Sequence, residues 1–257
     1  MYAHRFTLGI VFLCMAVVVT YFYSRSSTFP TIDAKYQPMN SAAPVVPQKA
    51  QALDDIPSVT NAKGQESDWN DADKKELREW FLDNGYGGTV RKNYEAYSLE
   101  ALDALAKNGD VHAMLVFGHL ALANGLDAAR EIYINAAVYG STSVFLDLGD
   151  AEEIFAFPSE TDPIKREAAA VSILAWYKVA SLRGDQWPEL SAFDSLPTRL
   201  KFQVTDDMLN KVNELAQTRY DTLQKTRYER GFGEFDNSVS PSIAKFFEQQ
   251  KLGKMQK

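Results

Sequence analysis

The chain contains few residues that could carry acid–base or metal chemistry. It has three histidines, His4, His112 and His119, and a single cysteine, Cys14. His112 and His119 lie on one predicted helix and share a face, but they are separated by two turns, about 10 Å along the axis. One metal ion cannot bind both at that distance, and the i, i+4 histidine pair of a zinc protease helix does not occur. We therefore expect no metal site and no bound cofactor.

Carboxylates are the remaining candidates for catalysis. The sequence has neither a G-x-S-x-G nor a G-x-x-x-x-G-K-[ST] motif, so no motif supports a serine hydrolase or a nucleotide-binding protein. The adjacent pairs Glu152-Glu153 and Asp206-Asp207 point in different directions on a helix, and helix-start charge explains them better. We expect that the chain is not an enzyme. The alternative, an envelope hydrolase using carboxylates of residues 150–162 and Trp187-Pro188-Glu189, stays open because such carboxylates can be remote in sequence.

The composition narrows the class of protein further. The 257 residues include 27 Lys+Arg against 34 Asp+Glu, for a net charge of -7. This balance argues against non-specific nucleic-acid binding, which depends on Lys and Arg neutralising phosphates. A single cysteine excludes a disulfide framework within the chain. Protein partners and small apolar ligands remain possible.

The first 23 residues resemble a membrane anchor. Residues 6–23 carry no charge and, as a helix, would span about 27 Å, enough to cross a bilayer. A cleaved signal peptide is the alternative, but the apolar run is long and no A-x-A-like site follows closely. The positive charges on the two sides of this segment nearly balance, so they do not decide its orientation in the membrane. The short leading tail then favours a signal anchor in the inner (cytoplasmic) membrane, with the long C-terminal part outside the cytoplasm, as in a bacterial periplasm.

Residues 24–68 have the composition of a tether. Five prolines, Pro30, Pro38, Pro44, Pro47 and Pro57, forbid a long helix or a central strand. We expect an extended, flexible linker that holds the body off the membrane. The alternative is an arm that packs across the domain through the apolar side chains of Val45, Val46 and Ile56.

Residues 69–257 show helical periodicity and no strand-like alternation, so the predicted fold is all-α. Asn70 should cap a helix that ends at Asn84-Gly85, and Ser98 one that ends near Gly109. Six more helices are predicted at about 110–124, 127–139, 142–156, 163–183, 205–230 and 241–250. The aromatic residues of 231–235 and the pair Phe246-Phe247 belong either to a capping helix or to a docking element.

A repeat is the most specific signal in the sequence. The glycines Gly109 and Gly140, which end predicted helices 31 residues apart, are followed at +4, +8 and +9 by the same residue types: Ala113, Phe117 and Gly118 after the first, and Val144, Leu148 and Gly149 after the second. Gly184 ends a third helix in the same way, but the residues after it do not follow the repeat, because Pro188 and Phe193 occupy the +4 and +9 positions. The array is therefore expected to end near that glycine.

The helices that precede these glycines carry a second pattern. The stretch AWYKVASLRGD and the unit GDVHAMLVFGHLALANGLDAAREIYINAAVYGSTSVFLDLG resemble Sel1-like repeats, which are related to tetratricopeptide repeats. The resemblance covers about residues 99–184. It assigns these repeat positions: Gly109, Ala113, Gly118, Tyr133, Ala136, Ala137, Gly140, Gly149, Trp176, Tyr177, Ala180 and Gly184.

The resemblance implies an α-solenoid of antiparallel helix pairs behind one transmembrane helix. Sel1-like proteins serve as protein–protein interaction adaptors, so the expected partners are membrane or envelope proteins and not nucleic acids. The first helix of each pair would line the binding groove. Candidate groove residues are His112, His119 and Asp147. A structural subunit of an envelope complex is a further alternative.

Overall fold

The computed structural model describes residues 69–155, 157, 161–193 and 196–255, all within one compact unit, Val45–Lys257. These residues contain helices and no strand, which confirms the all-α prediction for this part of the chain. The helices are α1 (Asp71–Asp83), α2 (Gly88–Glu95), α3 (Leu99–Lys107), α4 (Val111–Ala121), α5 (Leu126–Tyr139), α6 (Val144–Phe155), α7 (Pro163–Leu182), α8 (Leu196–Leu200), α9 (Asp206–Glu229) and α10 (Pro241–Met255).

The predicted anchor and tether lie outside the described residues. None of the helices that the structure describes is long and apolar enough to cross a membrane. The membrane anchor predicted at residues 6–23 therefore stays a prediction. The same is true of both interpretations of residues 24–68, a flexible tether or a packed arm.

Capping side chains set several of the helix starts. In six of the described helices an Asn, Ser, Asp or Thr oxygen accepts a hydrogen bond from a backbone N–H of the first turn, which satisfies a donor that has no partner within the helix. The caps of α1, α3 and α9 are Asn70, Ser98 and Thr205. Asp206 and Asp207 follow in the first turn of α9, so helix-start charge is the correct interpretation of that pair.

Helix α2 was not predicted. The helix begins directly after Gly87, whose φ of 117° is a conformation that favours glycine. Residues 85–88 are rich in glycine, a composition that predicts a turn and not the start of a helix. Helix α8 was not predicted either, and α10 extends to Met255, beyond the predicted end at about 250. Two other helices also have boundaries that differ from the prediction. Helix α6 begins at Val144 because the serine and threonine residues 141–143 bind the α1–α2 loop, and α4 passes into a 3₁₀ turn, Leu122–Asn124.

Consecutive helices pack against each other from α3 to α7, and α9 then covers α7 and part of α5. The same kind of contact, a glycine against a tyrosine ring, occurs in two of these helix pairs. Gly118 of α4 faces the ring of Tyr133 on α5, and Gly149 of α6 faces the ring of Tyr177 on α7, so closely that a Cβ on either glycine would come within 3.0 Å of the ring. Both tyrosines are buried. The absence of a side chain on each glycine therefore lets the two helices approach.

We expect Gly149→Ala to lower the free energy of unfolding by about 2 kcal/mol, because overpacking around the buried Tyr177 ring outweighs the helix propensity that alanine gains. Chemical denaturation followed by circular dichroism measures the change. In a Tyr177→Leu background the ring is gone, and the same Gly149→Ala substitution should be neutral or stabilising. An equal loss in both backgrounds would contradict the ring contact as its cause.

A separate aromatic cluster joins the first and last described helices. Trp80 and Phe81 of α1 meet Phe246 and Phe247 of α10 in edge-to-face pairs with ring centroids 5.5–5.6 Å apart. The indole Nε1 of Trp69 donates to Gln249 Oε1 at 2.9 Å. Helix α10 therefore packs on α1, while α9 is the helix that covers α7.

A buried charged cluster connects α5, α6, α7 and α9. The Glu152 carboxylate accepts hydrogen bonds from Trp176 Nε1 at 3.0 Å, Arg130 Nη2 at 3.2 Å and Ser172 Oγ at 2.5 Å. Arg219 donates to Ser172 and lies 3.8 Å from the centre of the Trp176 ring, and burial lowers the pKa of Arg219 to about 10. The sequence interpretation of Glu152 as helix-start charge is wrong, because the residue lies in the interior of α6 and is buried.

All three Gly-Asp dipeptides of the chain share a feature. In each, the aspartate accepts a hydrogen bond from a tyrosine hydroxyl of another element: Tyr94 to Asp110 at 2.8 Å, Tyr177 to Asp150 at 3.0 Å, and Tyr86 to Asp185 at 2.7 Å. The three aspartates differ in burial: Asp185 is fully buried, whereas Asp150 is exposed as a residue although its carboxyl group is partly buried.

Asp185 lies at the centre of a junction between three loops. Its Oδ2 accepts from the hydroxyls of Tyr86 and Thr142, the latter at 2.6 Å, and its Oδ1 accepts from the Trp187 backbone N–H at 2.9 Å. Burial nonetheless raises the pKa of Asp185 to about 6, against the opposing effect of these hydrogen bonds. The junction joins the loops that follow α1, α5 and α7.

Candidate binding face on helix α6

The three predicted groove residues have different environments. His112 is half-buried beside Tyr94 of α2, with ring centroids 6.0 Å apart, and its Nδ1 is enclosed without a hydrogen bond to any described residue. Burial lowers the pKa of His112, so the imidazole is uncharged at neutral pH. His119 is exposed on the last turn of α4. Asp147 lies in the first turn of α6.

The structure brings His112 and Asp147 close to the same cation, Arg91 of α2, and leaves His119 elsewhere. Arg91 donates through Nη1 to Asp147 Oδ1 at 3.1 Å and through Nη2 to Oδ2 at 3.0 Å. Such a two-bonded guanidinium–carboxylate pair fixes both groups. The Asp147 carboxylate is therefore already paired within the chain. Sequence reasoning missed Arg91 because it missed the helix that carries it.

Helix α6 carries three acidic residues at three-residue spacing, Asp147, Asp150 and Glu153, which we call the acidic row. Residues three apart are neighbours on a helix surface. Glu153 Oε2 accepts a hydrogen bond from Arg199 Nη2 of α8 at 2.7 Å, so both ends of the row have internal cations. In the part of the chain that the structure describes, no Lys or Arg forms a salt bridge with Asp150.

The middle carboxylate of the row is electrostatically the least satisfied of the three. Partial burial of the carboxyl group and the charges of Asp147 and Glu153 raise the pKa of Asp150. The hydrogen bond from the Tyr177 hydroxyl and, more weakly, the charge of Arg199 oppose this effect. A cation beside Asp150 would favour its charged form. The acidic row thus has one position at which an external positive charge is stabilising.

Two large apolar side chains follow on the same helix. Ile154 is 64% exposed and Phe155 is 44% exposed. Ile154 is four residues after Asp150, a spacing that places the two side chains on one face of α6. We call Asp150 and Ile154 together the α6 face. The α6 face thus combines a carboxylate that has no salt-bridge partner among the described residues with an exposed aliphatic side chain.

The carboxylates considered for catalysis have structural partners. Glu189 accepts hydrogen bonds from Lys178 Nζ at 3.1 Å and from the Ser181 hydroxyl, and Asp162 caps α7 through the Ile164 N–H. Within residues 69–155, 157, 161–193 and 196–255, no three His, Cys, Asp or Glu side chains are arranged to hold a metal ion.

No family model, no curated protein and no solved structure matches this chain. The resemblance to Sel1-like repeats therefore depends on the sequence motifs quoted above.

Proposed function

We propose that this protein is a membrane-anchored adaptor that binds a protein partner through the α6 face. In this proposal residues 1–23 are an uncleaved anchor, residues 24–68 are a tether, and the helical body lies on the extracytoplasmic side, as in a bacterial periplasm. The body is an α-solenoid of Sel1-like helix pairs in which α4 and α6 are the first helices of their pairs.

The repeated glycine–tyrosine contact supports the proposed pairs. Gly118 and Gly149 hold equivalent places in the two sequence units, and each receives the ring of a tyrosine that the resemblance also assigns to the repeat, Tyr133 and Tyr177. Both contacts join a proposed first helix to its second helix. This agreement is expected of repeats, whose units reuse the same contacts.

The observation that carries the proposed binding role is the charge arrangement on α6. Arg91 and Arg199 form salt bridges with the two ends of the acidic row, and among the described residues Asp150 between them has a tyrosine hydroxyl and no salt-bridge partner. Because Ile154 adds an exposed apolar side chain, the matching partner segment presents a Lys or Arg next to an apolar residue. A helical or an extended segment can supply that pair.

The test is affinity purification of the full-length protein after crosslinking in cells, with mass spectrometry of the recovered partners. Asp150→Asn combined with Ile154→Asp removes the charge and the apolar contact, while the asparagine can still accept the Tyr177 hydrogen bond. We expect at least about tenfold lower recovery of a partner, since losing one good interface contact costs 1 kcal/mol or more. Circular dichroism of the purified variant checks that it folds.

Two controls make the result specific. Glu214→Gln removes an exposed carboxylate from α9 and should leave recovery unchanged. A chain without residues 1–23 should still recover the partner after mixing, because the proposed contact lies in the helical body. Equal recovery by the α6 variant, or no reproducible partner for any form, would contradict the proposal.

A further inference from the structure

The segment that joins α9 to α10, residues 231–239, crosses the ends of two repeat helices, and we call it the connector. Its Phe232 ring lies 4.9 Å from the ring of Tyr139, the last residue of α5. The guanidinium of Arg183, which directly follows α7, lies 3.4 Å from the centre of the Phe235 ring. Tyr139 and Arg183 each precede a glycine of the sequence repeat. Two aromatic residues three apart therefore contact equivalent positions of two units.

Side chains, and not backbone ladders, hold the connector on these helix ends. Among the described residues, no backbone–backbone hydrogen bond joins the connector to α5 or α7. The Phe235 N–H donates to Gln224 Oε1 at 3.1 Å. The Asn237 side chain accepts from Arg183 Nε at 2.9 Å and donates to the Tyr220 hydroxyl at 2.6 Å. Replacing the connector by another extended peptide would therefore break no secondary structure.

The connector leaves two cationic donors beside it without an acceptor. Arg183 is 7% exposed, and its Nη1 is enclosed without a hydrogen bond to any described residue. The Arg227 guanidinium lies 4.9 Å from the centre of the same Phe235 ring, and its Nε is enclosed in the same way. Burial and the charge of Arg227 lower the pKa of Arg183 to about 10. A buried donor without an acceptor is destabilising, so a ligand that supplied the acceptor would gain an interaction that the connector lacks.

Nearby carboxylates do not satisfy these donors. Asp185 and Asp236 both favour the charged form of Arg183, but neither forms a salt bridge with it. The Asp185 oxygens accept three hydrogen bonds at the loop junction, and Asp236 Oδ1 accepts from Ser238. The connector is fixed at both ends by α9 and α10, and its own acids, Glu234 and Asp236, are exposed. They therefore do not reach the enclosed Nη1 of Arg183.

We propose that the ends of α5 and α7 bind an extended peptide segment of a partner protein in place of the connector. The segment has two aromatic residues three apart and a carboxylate next to the second. Its rings would stack on Tyr139 and Arg183, and its carboxylate would accept hydrogen bonds from Arg183 Nη1 and Arg227 Nε. None of these residues belongs to the α6 face, and the partner charge required is the opposite one, so the two proposals are independent.

Fluorescence anisotropy with the full-length protein in a non-ionic detergent tests the exchange. The probe is a labelled peptide with the connector's own sequence, Gly-Phe-Gly-Glu-Phe-Asp-Asn-Ser. In the wild type the attached connector competes with the probe at an effective concentration of about 1 mM. Phe232→Ala combined with Phe235→Ala removes the two rings that hold the connector. We expect the probe to bind this double variant at least about tenfold more tightly than the wild type.

Two altered peptides test the ligand chemistry on the double variant. Alanine in place of both phenylalanines should weaken binding at least about tenfold, and a peptide with both acids replaced by their amides should bind about tenfold more weakly, as one charge-assisted contact implies. Adding Arg183→Gln should make the acidic and neutral peptides bind alike. Adding Arg78→Gln instead, which removes an arginine of α1 outside the connector contacts, should leave the preference for the acidic peptide unchanged.

Circular dichroism checks that the double variant folds. Gln224→Ala combined with Asn237→Ala is a second variant, which keeps both rings and removes side-chain hydrogen bonds of the connector. It should bind the probe about threefold more tightly than the wild type. No binding of the probe to either variant, equal affinity of the wild type and both variants, or equal binding of the probe and either altered peptide would overturn the proposal.

Discussion

Glu152→Ala is expected to lower the free energy of unfolding by about 3–5 kcal/mol, because removing one partner of a buried charged cluster leaves the others unpaired. The Trp176 indole N–H and the Ser172 hydroxyl would lose their acceptor, and the Arg219 guanidinium would lose the nearest negative charge in a mostly buried site. Equilibrium unfolding in urea, followed by circular dichroism, measures the effect.

The neighbouring residue provides the control. Glu153 has the same charge and pairs with Arg199 at a partly exposed site, where the Arg199 side chain is 48% exposed and the Glu153 side chain 19%. Because solvent screens one side of this pair, Glu153→Ala should cost about 1 kcal/mol, well below the cost of Glu152→Ala. Similar losses for the two substitutions would show that burial of the Glu152 cluster is not what makes it important.

The pH dependence of stability should report the second large effect, at Asp185. An acid whose pKa is about 6 in the folded chain and about 4 when unfolded binds its proton more tightly in the folded state. Its contribution to stability is therefore present below pH 4 and is lost as the pH rises through 6, a change of about 3 kcal/mol. Asp185→Asn removes this titration, and an asparagine oxygen can still accept from Tyr86 and Thr142.

The quantity to measure is the difference in unfolding free energy between Asp185→Asn and the wild type at several pH values. Between about pH 4 and pH 7, the unfolding free energy of the variant should rise relative to that of the wild type by about 3 kcal/mol. Asp236→Asn provides a contrast, because hydrogen bonds from Ser238 lower the pKa of the exposed Asp236. Its difference from the wild type should stay nearly constant between pH 4 and pH 7 and should move in favour of the variant only as the pH falls below about 4. A difference for Asp185→Asn that does not change with pH would contradict the role of its burial.

The sequence predicted most of the helices because their signals are local. Caps such as Asn70 and Thr205 and the first-turn Pro163 lie within a few residues of the helix start that they determine. Helix α2 lacked such a signal, since it begins after Gly87 with no capping side chain. Without α2 there was no reason to place Arg91 beside Asp147.

The candidate sites depend on contacts between distant residues. Asp147 was predicted as a groove residue, but its pairing with Arg91 and the exposure of Asp150 follow from how α2, α6 and α8 pack. Arg219 reaches the Glu152 cluster from a helix 67 residues further along the chain, and periodicity says nothing about such a pair. The recurrence of Asp after Gly was visible in the sequence. Its common tyrosine partner was not, because the three tyrosines have no fixed spacing.

The pairing of α1 with α10 has a consequence for how the protein is made. Trp69 and Gln249 are 180 residues apart, so the helix that is synthesised first among the described ones receives its partner last. At roughly 5–20 residues per second, that interval is roughly 10–35 s. During this time the apolar face of Leu77 and Phe81 has no α10 to cover it. The apolar face of α1 therefore stays uncovered by α10 on the nascent chain until α10 has been synthesised.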